Sequence, residues 1–128
     1  MGTGPMSNIQ AERSACPLYT AIGVIEGRWK PMLFQRLARG VSGFGELHRA
    51  MPGISRKVLA EQLRQMECDD LAVRHETGDR LGSVRYELTP YGETLMPVFT
   101  ALWSWGNGHV TREGAERGTL VWPPDSVA

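Results

Sequence analysis

A chain of 128 residues, 41% of them hydrophobic, has the size of one domain and enough apolar material for one core. Its apolar runs are only a few residues long and its first fifteen residues lack the basic-then-apolar pattern of a secretory leader, so no membrane span is expected and the expected compartment is the cytoplasm. The 14 basic and 14 acidic residues cancel overall but are segregated, with eight Lys/Arg against three Asp/Glu in residues 1–57 and six against eleven in residues 58–128.

Residues 1–15 are small and polar, and residues 111–128 keep neither a helical nor a strand period, so both read as flexible tails around a folded domain at 16–110. Pro17 suits a first helical position, and Leu18, Ile22 and Ile25 recur at i, i+4 and i+7 before Gly27. Pro31 opens a second helix with Leu33 and Leu37 on its buried side, ended by Gly40. A third covers Gly45 to Met51 and stops at Pro52-Gly53, a tight turn. Ser55 then caps a fourth, from Arg56 to about Asp69, whose Leu59, Leu63 and Met66 share a face. Leu71, Val73 and His75 alternate with Ala72, Arg74 and Glu76, and after a polar turn Val84, Tyr86 and Leu88 alternate with Arg85 and Glu87, which predicts a β-hairpin with a partly buried His75. Thr89-Pro90 starts a long last helix lined by Leu95, Phe99, Leu102 and Gly106, with a kink expected at Pro97 because a proline inside a helix removes a hydrogen bond, at a cost of about 3 kcal/mol.

Helix, tight turn, helix and two-stranded hairpin make a winged helix-turn-helix, a mainly α member of the α+β class, in which the second helix enters the major groove of double-stranded DNA and the hairpin tip reaches the flanking backbone. Counting about 100° per residue from Leu59, the side of the fourth helix opposite the core carries Lys57, Glu61, Arg64 and Cys68, with Arg56 beside them. Arginine and lysine suit guanine, a glutamate accepts from cytosine, and free N–H groups after Ser55 suit a phosphate oxygen. Lys30 is expected as a backbone contact, Arg80 at the hairpin tip as a minor-groove contact or a plain surface arginine, and Arg85 as added positive charge near the wing. A solvated charged face is the bland alternative, and the flanking elements are what weigh against it.

The stretches CPLYTAIGVIEGRWKPMLFQRLARG, FGELHRAMPGISRKVLAEQLRQMECDDL and VRYELTPYGETLMPVFTALWSWG resemble the HxlR family of winged-helix transcriptional regulators, relatives of the MarR type. The specific pieces are Cys16-Pro17, Gly27-x-Trp29-Lys30, Pro52-Gly53-Ile54-Ser55 with Leu59 and Leu63, and Tyr86-x-Leu88-Thr89 with Tyr91-Gly92. The resemblance implies a homodimer, formed through the first and last helices, on a pseudo-palindromic operator. Asp70 departs from it where a glycine is usual, Arg85 where an acid commonly precedes the tyrosine, and the wing lacks the usual proline. Asp70 tolerates a left-handed helix end at modest cost, so the fold should survive.

Cys16 stands at a helix N-terminus, where the dipole favours a thiolate, with Arg28 or Lys30 expected near it in the dimer. The resemblance implies a redox-sensitive cysteine at this place, which makes an oxidant or electrophile a candidate effector; a small buried residue in the dimer core is the other reading. Cys68, at the negative helix end beside Asp69 and Asp70, reads as incidental. Tyr19, Trp29, Phe99 and Trp103, with Trp105, offer an aromatic lining for a small ligand at the dimer seam, or simply core.

The chain carries no HExxH, nucleophile elbow or glycine-rich phosphate loop, so no enzyme is expected. His48, His75 and His109 are scattered and the two cysteines lie 52 positions apart, which suggests neither metal nor cofactor; a plain surface position or a phosphate contact are the readings for His48. The rival from another class is a winged-helix protein-interaction module without specific DNA binding.

Overall fold

The computed structural model describes residues 16–76 and 83–112. Helices α1 (Pro17–Ile25), α2 (Lys30–Ala38), α3 (Phe44–Ala50) and α4 (Arg56–Cys68) precede strands β1 (Ala72–Glu76) and β2 (Val84–Leu88), the short α5 (Pro90–Glu93) and the long α6 (Met96–Arg112). This is the expected winged helix-turn-helix. The tails at 1–15 and 113–128, the hairpin tip with Arg80, and Trp122 lie outside the described residues, and α6 carries the chain two residues past the expected boundary at 110.

Local chemistry sets the helix limits. Pro17 stands at the first position of α1 behind an extended Cys16, Ser55 Oγ accepts from Val58 N at 3.1 Å to start α4, and Thr89 Oγ1 accepts from Gly92 N at 2.8 Å to start α5. Two helices close with the same device. After α2, Gly40 (φ 94°) lets Val41 N donate back to Arg36 O and Gly40 N to Leu37 O; after α4, Asp70 (φ 62°) lets Leu71 N donate to Met66 O and Asp70 N to Glu67 O. The aspartate thus adopts the left-handed turn expected of it.

The core joins Leu33, Phe34 and Leu37 of α2, Leu47 of α3, Leu59, Leu63 and Met66 of α4, and Tyr86 of β2, with Met51, Ile54 and Leu71 from the turns. Each such leucine, fully buried, stabilises the fold by about 1.5–3 kcal/mol. Phe99 of α6 closes the core against Phe34, ring centroids 4.6 Å apart. The turn between α3 and α4 is fastened by His48, whose Nε2 lies 3.0 Å from Ile54 O; a carbonyl only accepts, so that nitrogen carries the proton. His48 is therefore an internal brace, neither of the roles expected for it.

β1 and β2 pair antiparallel, Ala72 opposite Leu88 and Arg74 opposite Tyr86, and residues 42 and 43 add a short third edge, with Tyr86 N donating to Ser42 O at 2.8 Å. Tyr86, Val84 and Leu88 face the core as expected, but β1 has the opposite phase. Its core-side residues are those opposite them, Ala72, Arg74 and Glu76, while Val73 and His75 stand exposed and His75 Nε2 meets Glu87 Oε1 at 2.8 Å. Leu71 is buried because it completes the turn after α4, before the strand starts, so counting the alternation from it misplaces His75 by one residue.

The last helix also differs from expectation. A four-residue α5 ends at Glu93 and α6 begins anew at Met96, so Pro97 occupies a first-turn position where its missing N–H removes no bond, and the kink becomes a complete break three residues earlier. Gly92 is forced by close approach: a β-carbon there would lie 2.1 Å from Leu71 O.

Candidate nucleic-acid interface

With Leu59, Leu63 and Met66 fixed in the core, α4 turns Lys57, Glu61, Arg64 and Cys68 outward, together with Arg56 and Gln65. The Ser55 hydroxyl takes the N–H of Val58 and the Ser55 carbonyl that of Leu59, so the N–H groups of Arg56 and Lys57 have no partner among the described residues. Arg56, Lys57 and Arg64 likewise have no ion pair there. An exposed helix start with open donors and unpaired cations is an anion-binding surface, and the side chains further along offer both donors and an acceptor to base edges.

Other predicted contacts sit elsewhere. Lys30 is only 9% exposed, and its ammonium donates to Gln65 Oε1 on α4, so it ties two helices together instead of standing free in solvent. Arg36 is also turned inward: its Nε donates to Ala50 O at 2.9 Å, closing the end of α3, and burial, then Arg39, lowers its pKa. Arg85 is exposed but held on β2 opposite His75, donating to Ser42 Oγ at 2.7 Å and lying 3.7 Å from Glu46 Oε1. Glu46 in turn accepts from Gly43 N at 3.1 Å at the start of α3. That N–H first, and Arg85 next among the groups favouring the charged form, hold its carboxyl below the usual glutamate range against an opposing desolvation.

Sequence reasoning missed where Trp29 goes. A β-carbon placed on Gly53 would meet Trp29 Cη2 at 3.7 Å, so the indole lies against the turn between α3 and α4, and the Arg28 guanidinium sits 4.8 Å from its ring centroid. Trp29 therefore does not line the apolar groove expected for it. That groove, about 550 Å³, lies between α1 and α6, with Ile22, Ile25, Leu102 and Val110 beside the predicted Phe99 and Trp103; Tyr19 is exposed and not among its walls. A second, polar cleft of about 380 Å³ separates Gly23 of α1 from Glu61, Arg64, Gln65 and Cys68 of α4, with Lys30 at its side.

Cys16 is a free thiol, partly buried, at the N-cap of α1. Arg28 and Lys30 are engaged within this chain at Trp29 and Gln65. Cys68 is exposed and also free. Among the described residues, no cluster of three His, Cys, Asp or Glu is arranged to hold a metal, and no helix is long and apolar enough to cross a membrane.

A winged helix-turn-helix with a cationic, capped second helix defines a class of DNA-binding regulators, and comparison with known proteins narrows it. Residues 24–114 match the model of the HxlR-like helix-turn-helix family, and this chain belongs to that family. The uncharacterised HTH-type transcriptional regulator YybR of Bacillus subtilis (strain 168) is 33% identical over 102 residues, 80% of this chain and 82% of that protein. Among solved structures, the redox regulator HypR in its reduced form superposes with a TM-score of 0.68 at 34% identity, covering 77% of this chain and 99% of HypR. Diamide-treated YodB from B. subtilis superposes with a TM-score of 0.63 at 28% identity, covering 80% and 97%.

Proposed function

We propose that the protein is a sequence-specific transcriptional regulator that binds double-stranded DNA as a homodimer on a pseudo-palindromic operator. The observation that carries this is α4: one face is locked into the core, and the other presents Lys57, Glu61 and Arg64 behind a helix start with two open N–H groups. Arg56, Lys57 and the Ser55 turn position the protein on phosphates, and Arg64 and Glu61 read base edges. The residues of α1 support the homodimer, for none of them is buried: Leu18, Tyr19 and Ile22 are exposed, as are Val98, Leu102 and Trp105 of α6, and Ile22 and Leu102 line one groove. A two-fold pair would set two α4 helices about one DNA turn apart.

Regulation is assigned to the same seam. Cys16, at the N-terminus of a seam helix, is the reactive thiol for an oxidant or electrophile, a reading supported by similarity to the redox regulator HypR. The α1–α6 groove has the volume of a small-molecule site and offers a second route to the same helices. The test is fluorescence anisotropy of the reduced protein on DNA from upstream of its own gene and on scrambled DNA, over a salt series. A preference of about a thousandfold, falling steeply with salt in absolute affinity, is expected. Equal weak binding to both sends the reading to a protein-interaction module. Cys16→Ser is expected to abolish any oxidant response, and an unchanged response excludes Cys16 as the sensor.

A further inference from the structure

The segment between α1 and α2 carries two cations with opposite fates. Gly27, at φ 114°, reverses the chain after α1. Two residues beyond Arg28, Lys30 points inward to Gln65. Arg28 itself is exposed, its guanidinium carbon lies over the Trp29 ring 4.8 Å from the centroid, and it has no carboxylate partner among the described residues. Trp29 is only partly exposed and its far edge rests by Gly53, in the turn that leads into Ser55 and α4. The indole is thus a shelf that holds a planar cation beside the start of the reading helix.

We infer that Arg28, carried on Trp29, is a DNA-phosphate contact that anchors the protein beside the start of α4. The inference rests on the DNA-binding reading above and adds a residue from outside the helix-turn-helix to it. An arginine held over an indole is attracted by the ring face, is more weakly hydrated than a lysine and carries its donors in a rigid planar fork, so it loses less freedom when two of its N–H groups meet phosphate oxygens. An exposed arginine paired with an acid of its own chain would serve a structural purpose on the surface; here the partner is an aromatic ring, and the N–H donors have no acceptor among the described residues. The open N–H groups and cationic side chains of Arg56 and Lys57 follow three and four residues after the Gly53 against which Trp29 rests, and they too are attractive to a phosphate strand.

The experiment uses the full chain and two duplexes: one selected by the wild-type protein from a randomised library, and a scrambled one. Affinities for both are measured over a salt series for wild type, Arg28→Met and Arg28→Lys, with circular dichroism confirming the fold. Each lost phosphate contact removes about 0.9 from the slope of log affinity against log salt, so a dimer of Arg28→Met is expected to lose close to 2. Its affinity falls about tenfold or more on both duplexes alike, because a phosphate carries no sequence information, while Arg28→Lys keeps the slope. If wild type prefers the selected duplex and Arg28→Met keeps its slope and affinity, Arg28 lies outside the interface and the inference is overturned while the DNA-binding reading stands. A changed ratio between the duplexes overturns it too, by making Arg28 a base reader. Wild type without preference for any selected duplex removes the functional reading and this inference together.

Discussion

The α4 side and the α1–α6 side of this molecule are finished to different degrees. Around α4, apolar residues are buried and the helix ends are closed by Ser55 and Asp70, so what remains outside is polar and mostly charged. Along α1 and α6, Phe99 apart, large apolar residues face outward: Leu18 is 68% exposed, Trp105 is 70% exposed and stacks on His109 at 5.0 Å, and a groove of about 550 Å³ runs between the helices. Large apolar side chains left exposed together mark an interaction surface. One side is therefore complete in a single chain and presents chemistry to a polyanion, whereas the other becomes a core only when a second surface covers it.

The contrast is broken most severely from the complete side. Leu63→Ala, at a residue 1% exposed, is expected to lower stability by about 2–5 kcal/mol in denaturant titrations, through lost burial and the cavity left behind. Leu102→Asp, on the open side, should leave the far-ultraviolet circular dichroism of the monomer intact but shift the sedimentation profile from dimer to monomer. A loss of helical signal comparable to that of Leu63→Ala would mean that α6 belongs to the single-chain core. Arg64→Ala is expected to lose about 1–3 kcal/mol of discrimination at one base position in a binding-site selection, and Lys30→Met to leave the salt slope of DNA binding unchanged, since the Lys30 ammonium bonds Gln65.

Smaller effects sharpen the account of α3 and α4. The Glu46 carboxyl is held below its usual range in the folded protein, so its contribution to stability is present above the ordinary glutamate pKa and is lost as pH falls through the lower folded value. Glu46→Gln should flatten that acid-side loss in thermal melts at a series of pH values. Asp70→Gly should raise stability by about 0.5–1 kcal/mol, because a glycine meets φ 62° without the side-chain penalty. A destabilised Asp70→Gly would show that the aspartate side chain supports the turn.

Much of the complete side was legible in the sequence because it is governed by local rules. The i, i+4, i+7 spacing of Leu59, Leu63 and Met66 placed the outward stripe, and Ser55, Thr89 and Gly40 marked the ends they occupy. What was not legible depends on contacts distant along the chain. Lys30 reads as a surface cation until Gln65, 35 residues on, receives it; Trp29 reads as seam or core until the turn at Gly53 lies beside it. His75 was misplaced by a single step of phase, since Leu71 is buried as the end of a helix turn and not as the first residue of a strand face. Gly92 of the family pattern acquires its physical cause only in three dimensions, from the Leu71 carbonyl where a β-carbon would stand.

Native mass spectrometry of the reduced protein with its selected duplex tests the central claim, that one side reads DNA and the other joins two chains. The account predicts two chains of 14.2 kDa per duplex, and with Leu102→Asp a complex that loses one chain and most of its affinity. A single wild-type chain bound with full sequence preference would contradict the assignment of the α1–α6 side, and no complex with any selected duplex would contradict that of α4.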